Sequence, residues 1–106
     1  LSPLDPINFN NYVGMASANE VAQRYDEAAA LYRRGLEERS QAKWIYRSLA
    51  PTLYAAGKIE EAEEAYAVFI KDYPDLTTGQ IRQAMVFSDA VLDRMVDSLR
   101  KLGMPD

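Results

Sequence analysis

The chain of 106 residues contains neither cysteine nor histidine, which narrows the chemistry open to it. Without cysteine it has no disulfide, no thiolate nucleophile and no thiolate ligand for a metal. Without histidine it lacks the commonest general base and the commonest metal-binding side chain. The sequence also has no glycine-rich phosphate loop and no serine elbow of the required spacing. We therefore expect no catalytic residue, no metal site and no cofactor in this chain.

Basic charge and long apolar runs are also scarce. Twelve Lys and Arg face sixteen Asp and Glu, a net charge of -4, whereas binding to duplex DNA depends on many cations that neutralise phosphates. The longest uninterrupted apolar run is residues 65–70, well short of the roughly 20 residues that cross a bilayer. We expect neither nucleic acid nor membrane insertion. A reducing compartment is compatible with the lack of cysteine, and we predict a cytoplasmic location.

What the sequence does contain is an internal repeat. Residues 25–28 return after a shift of 34 residues as residues 59–62, and an acidic pair precedes alanine in both segments. The same shift aligns further pairs of similar side chains: Tyr12 with Tyr46, Met15 with Leu49, Ala16 with Ala50, Tyr32 with Tyr66, and Leu36 with Ile70. A fixed period of this length is typical of stacked structural repeats.

Helical periodicity predicts two helices in each unit. The first helix begins between Asp5 and Asn10 and runs to about Val21, and the second carries an apolar stripe after Ala28. In the next unit we expect helices over 43–56 and 59–72. The third helix contains Pro51, which removes one backbone hydrogen bond. Two interpretations of Pro51 remain open: a kink that adjusts helix packing, or an opening toward a peptide.

The repeat stops after Pro74, because glutamines occupy the next two aromatic and aliphatic positions. Thr77 followed by Gln80 predicts a capping box and a short helix. A last amphipathic helix is expected from Asp89 to a stop at Gly103. A helix that is apolar on one side only suits the end of a helical stack. We predict that residues 77–106 form capping helices.

The spacing of aromatic, aliphatic and small residues over residues 9–74 resembles the tetratricopeptide repeat (TPR). The opening LSPLDP, the segment YPDLT at 73–77 and the closing LRKLGMPD are similar to the C-terminal repeat regions of bacterial class III adenylate or guanylate cyclases and related signalling proteins. The resemblance implies an all-α superhelix in a single domain, 1–106, that is the C-terminal fragment of a longer protein. Its expected parts are a tail of a preceding repeat or a linker (1–8), two helix-turn-helix repeats (9–40 and 43–74) and the capping helices.

The resemblance implies a non-catalytic protein-interaction module, with any cyclase domain upstream of Leu1. In such repeats the first helix of each unit lines a concave surface, which predicts a groove for a protein or peptide whose identity stays open. The candidate groove residues are Trp44, Arg47, Pro51, Tyr54, Val13 and Ser17. Trp44 is the strongest candidate, since Trp and Arg dominate binding hot spots.

The alternative function is homo-oligomerisation or a structural spacer without a peptide ligand. Two repeats and a cap are few for a stable array. The first helix also leaves one apolar flank open where an earlier repeat would stack, so we expect the N-terminal end to expose it. The residues expected there are Phe9, Tyr12 and Val13, and they are the candidates for self-association.

Overall fold

The computed structural model describes residues 8–106, and over that range the chain is helical with no β-strand. The predicted all-α fold class is confirmed. A 3-10 turn, Lys43–Ile45, leads directly into the third helix. The α-helices are α1 (Phe9–Val21), α2 (Tyr25–Glu38), α3 (Tyr46–Ala55), α4 (Ile59–Asp72), α5 (Thr78–Ala84) and α6 (Asp89–Leu102). The predicted linker, residues 1–8, lies outside the described range except for Asn8.

The repeat in the sequence is also a repeat in backbone geometry. Helices α2 and α4 begin and end 34 residues apart. The turns before them are closed by the same hydrogen bonds: Arg24 N–H donates to the Asn19 carbonyl at 2.8 Å, and Lys58 N–H to the Leu53 carbonyl at 2.9 Å. This six-to-one bond, with a left-handed residue inside it, is the Schellman ending of a helix. Each unit is therefore an antiparallel helix pair with the same turn.

Side-chain caps fix the helix starts that the sequence indicated. The Asn8 side chain accepts from the Asn11 amide at 3.1 Å and begins α1. Thr77 and Gln80 form the predicted capping box at α5. The Ser88 hydroxyl accepts from the Val91 amide and begins α6. At the other end of α6, Gly103 adopts φ 117°, the left-handed conformation that ends a helix.

The core runs through both units without a break. Helix α1 packs on α2, α3 packs on α4, and α2 joins the units by packing on α3. Four alanines are fully buried where the helices of each pair meet: Ala16, Ala28, Ala50 and Ala62. Helix α6 lies mainly against α3 and contributes an apolar stripe to the core, including Met95 and Leu99.

The last residues of the chain fold back onto the start of α5. The Pro105 carbonyl accepts from the Thr78 amide at 2.9 Å. The Asp106 carboxylate accepts from the Thr78 hydroxyl at 2.6 Å and from the Arg100 guanidinium at 2.6 Å. These two hydrogen bonds hold the pKa of Asp106 below its usual value. The end of α6 is thereby tied to the beginning of α5.

The predicted exposure of Phe9 and Tyr12 is wrong. Both side chains are buried, because side chains from the end of α2 and from the 3-10 turn cover them. The Phe9 ring meets Trp44 edge-on at 5.9 Å, and the Arg39 guanidinium lies 4.6 Å from the ring centroid. Arg34 covers Tyr12 in the same way at 4.9 Å and donates to its hydroxyl at 2.8 Å.

An exposed apolar flank does exist on α1, but other residues form it. Met15 is 44% exposed, whereas Leu49, its equivalent in the second unit, is fully buried. The reason is that α3 has α2 of the preceding unit packed beside it. Among the described residues, no helix packs on α1 in the corresponding position. Val21, at the end of α1, is also exposed.

The turn after α1 offers a test of the repeat geometry. Gln23 has φ 63° and Gly57, its equivalent after the shift, has φ 83°. A side chain in this conformation strains the backbone by about 1 to 2 kcal/mol, from which the entropy cost of glycine must be subtracted. We expect Gln23→Gly to stabilise the chain by about 0.5 to 1 kcal/mol in urea melts.

The matched control is Gly57→Ala. A Cβ at Gly57 would meet nothing within 4 Å, so this substitution isolates backbone strain and should destabilise by about 1 kcal/mol. Changes of the same sign in both variants would contradict the shared turn geometry.

Candidate functional site

A cavity lies between α1, α3 and the segment that joins α5 to α6. Its volume is about 320 Å³. Ser17, Tyr32 and Ser48 contribute polar groups to its wall, and Arg47 contributes a charge. Its apolar lining consists of Val13, Trp44, Ala84, Met85, Val86 and Phe87. We call this space the first cavity.

Trp44 and Arg47 stand next to each other at the side of this cavity. Trp44 is the only tryptophan of the chain, and 39% of its surface is exposed. The Arg47 guanidinium lies 5.8 Å from the Trp44 ring centroid, within cation–π range. The Nε atom of Arg47 is buried and has no hydrogen-bond partner among residues 8–106. An unsatisfied buried donor is costly, so this guanidinium is suited to receive an acceptor.

A second cavity, of about 140 Å³, lies on the other side of these two residues. It shares Trp44, Arg47 and Ala84 with the first cavity. The remaining residues that line it are Phe69, Tyr73, Leu76, Gln80 and Ile81. Trp44 and Arg47 therefore form a ridge between two mostly apolar spaces.

A buried cluster of one glutamate and the hydroxyl groups around it adjoins the wall of the first cavity. The Tyr32 hydroxyl donates to the Glu20 carboxylate at 2.7 Å, and Ser17 lies 3.3 Å from the same phenolic oxygen. Burial raises the pKa of Glu20 to about 7, an effect that the Tyr32 hydrogen bond only partly offsets. Burial and the neighbouring Glu20 charge raise the pKa of Tyr32 as well. The Thr52 hydroxyl also faces Glu20 but does not reach hydrogen-bond geometry.

A family model described as tetratricopeptide repeat matches residues 22–85, more than half of the chain. The chain belongs to the tetratricopeptide repeat family. Neither the curated proteins nor the solved structures include a match. The similarity of the terminal segments to cyclase repeat regions is not shown by these comparisons.

The TPR helices bring four of the six predicted groove residues together. Val13, Ser17, Trp44 and Arg47 all line the first cavity. Val13 and Arg47 are equivalent positions after the 34-residue shift, on the first helices of the two units, whereas Trp44 reaches the cavity from the 3-10 turn before α3.

Pro51 and Tyr54 are placed elsewhere. Pro51 is buried, and residues of α6 lie over it, including Arg94 and Met95. The space left there is about 10 Å³, enough for one water molecule at most. Tyr54 is partly buried against the core, on the side of Lys101 of α6. Pro51 therefore serves packing beneath α6 and opens no space for a peptide.

Two parts of the TPR site were missed by sequence reasoning. Glu20 was not singled out, although Tyr12, Ala16 and Glu20 are spaced four apart and so share one helix face. That spacing could have revealed it. No site role was predicted for the segment 85–87, yet it forms one side of the first cavity. Val86 is almost fully exposed there, and no periodic pattern marks such a loop.

Acidic side chains outside this cluster remain at the surface. The glutamates at 60, 61, 63 and 64 are exposed, and Glu61 pairs with Arg33 at 2.8 Å between the two TPR units. Within residues 8–106, no three side chains of the types Asp, Glu, Cys and His lie close enough together to hold a metal. In the same range, no helix combines the length and the apolar character of a membrane span.

The buried Glu20 gives the TPR domain a pH dependence of known sign. Between its ordinary pKa of 4.5 and its folded value of about 7, the unfolded chain releases the proton while the folded chain keeps it. Stability therefore falls as pH rises through this window, by at most about 3 kcal/mol. We expect Glu20→Gln to remove this fall and to be more stable than the parent chain at pH 8.

Urea melts between pH 4 and pH 8 measure the effect. Glu63→Gln, at an exposed glutamate, is the control and should keep the slope of the parent chain. An unchanged slope in Glu20→Gln would show that Glu20 ionises normally in the folded state.

Proposed function

We propose that this chain is a non-catalytic protein-binding module that takes a short segment of a partner protein into the first cavity. TPR domains commonly mediate protein–protein interaction and are generally non-catalytic. The observation that carries the proposal is the exposed Trp44 beside Arg47 at an open cavity. A tryptophan left at the surface by folding is available to lose water on binding, and Trp and Arg are the residue types most enriched in hot spots.

The size of the cavity favours a few side chains over a whole folded surface. Its volume of about 320 Å³ falls at the lower end of ligand pockets, which range over roughly 300 to 1,000 Å³. Its wall combines apolar side chains with hydroxyls from Ser17, Tyr32 and Ser48. Such a wall accommodates apolar side chains of a peptide and still offers partners for its backbone.

We expect Trp44→Ala to weaken binding by tenfold or more, because truncating a hot-spot residue costs at least about 1 to 2 kcal/mol. Ligands are selected from a displayed peptide library with the parent chain, and their affinities are measured by titration calorimetry. Ile59→Ala is the matched control, since Ile59 is 40% exposed and lines neither cavity. Equal affinities of the parent chain and Trp44→Ala, with unchanged helicity, would refute the proposal.

Self-association is the second candidate function, and the exposed Met15 favours it. A preceding repeat, or a second copy of the chain, would cover this side chain as Leu49 is covered in the second unit. Phe9 and Tyr12 are unsuitable for testing this idea, because they are buried and a charge there would unfold the domain.

If the N-terminal flank mediates a dimer, Met15→Glu should dissolve it, because the dimer interface would have to bury a charge. Sedimentation velocity over a hundredfold range of concentration measures the oligomeric state. Ile59→Glu introduces the same charge at another exposed apolar position and should leave any dimer intact. A monomer at every concentration in the parent chain would exclude self-association.

We further propose that the module is the regulatory C-terminal part of a multidomain bacterial signalling protein, such as an adenylate or guanylate cyclase, in the cytoplasm. The support is the similarity of residues 1–6 and 99–106 to the ends of such repeat regions. The reading frame upstream of Leu1 tests it: a cyclase domain followed by further 34-residue units is the expected result. A different output domain would refute the cyclase assignment and leave the binding function untouched.

A further inference from the structure

We propose that the partner segment carries an acidic side chain with an apolar side chain on either side of it, and that its carboxylate binds Arg47. The inference rests on the proposed function and names the chemistry of the ligand. It depends on two observations: the isolation of the Arg47 charge, and the presence of a cavity on each side of that charge.

Arg47 has no oppositely charged partner in the part of the chain that the structure describes. Of the residues that line the two cavities there, Arg47 alone is charged. It takes part in none of the ion pairs within residues 8–106, whereas Arg33, Arg82 and Arg100 each pair with a carboxylate. A carboxylate is therefore the complement that this site lacks.

The Nε atom of Arg47 adds a geometric reason. It is buried and without a partner among the described residues, so no internal acceptor holds the guanidinium from that side, and a ligand would meet the group through its terminal nitrogens. A carboxylate has two oxygens and can accept from a guanidinium in a bidentate way. The Trp44 ring lies beside Arg47, with 5.8 Å between the guanidinium and the ring centroid. Hydrogen bonds between charged groups are about twice as strong as neutral ones.

The two cavities indicate whether the carboxylate that binds Arg47 belongs to an internal acidic residue of the ligand or to its C-terminus. Arg47 lines both cavities. Val13 and Phe87 belong to the lining of the first cavity, and Phe69 and Leu76 to the lining of the second. In an extended peptide, alternate side chains point to the same face and are about 7 Å apart. An acidic residue over Arg47 then places its neighbours at positions -2 and +2 toward the two cavities. A terminal carboxylate would leave one cavity empty.

The test uses synthetic seven-residue peptides that are acetylated and amidated, so that the central side chain carries the only acidic group. One set has Glu at the centre, with Leu or Phe two residues away on each side. Matched sets have Gln or Lys at the centre, and a fourth set ends in a free carboxylate. Affinity is measured by titration calorimetry at 0.15 M salt, with Trp44 fluorescence as a second signal. We expect the Glu peptides to bind at least about tenfold more tightly than the Gln peptides.

Variants of Arg47 provide the decisive comparison. Arg47→Gln should abolish the preference for Glu over Gln, and Arg47→Glu should shift it toward the Lys peptides. Arg33→Gln is the control: Arg33 is an exposed arginine that lines neither of the two cavities, so its loss should leave the preference unchanged. Circular dichroism melts confirm that each variant is folded.

The outcomes separate this inference from the proposed function. Equal binding of Glu and Gln peptides overturns the inference, as does failure of the whole panel, or tighter binding of the free-carboxylate peptides. The proposed function is judged independently, by whether library-selected ligands depend on Trp44. A preference for Glu that survives Arg47→Gln would also overturn the assignment of the carboxylate to Arg47.

Discussion

Close contact between the two helices of each pair is the constraint on which the other features depend. It is possible because alanines occupy the crossing, Ala16 and Ala28 in one unit and Ala50 and Ala62 in the other, all with no exposed surface. A methyl group is small enough to let two helix backbones approach while still filling the space between them. The helix pairs stack through α2 and α3, so the angle set within each pair determines how the corresponding faces of α1 and α3 line the first cavity.

The same sequence position has different surroundings in the two units, and this difference gives the domain its direction. Leu49 is buried, whereas its equivalent Met15 remains open. At the other end, α6 closes the stack against α3. Asymmetry of this kind is expected of a linear array, in which each unit is completed by its neighbours and the ends are special. Within residues 8–106, α6 therefore covers one end of the stack, and Met15 stays exposed at the other.

Local patterns could be predicted from the sequence, and contacts between distant segments could not. The capping box at Thr77 and the stop at Gly103 each depend on residues within one or two turns of each other. The burial of Phe9 depends on Arg39 and Trp44, which belong to other elements. The position of α6 over Pro51 depends on how a non-repeating segment packs, and an amphipathic pattern shows only that such a helix has an apolar side. Val13, Ser17, Trp44 and Arg47 were predicted to lie together from the helical repeat, and they line one cavity, whereas the loop at 85–87 lies outside the repeat.

The hydrogen bonds that the Asp106 carboxylate accepts have a consequence for how the domain opens. They connect residues 28 positions apart, Thr78 and Asp106, and Arg100 holds the same carboxylate. The end of α6 is thereby held against the start of α5. The Arg82–Asp93 ion pair, at 2.9 Å, is a second link between the same two helices. Segments coupled in this way exchange their amide protons as one cooperative unit. Opening of residues 78–106 as one unit would uncover Pro51, which residues of α6 cover in the closed structure.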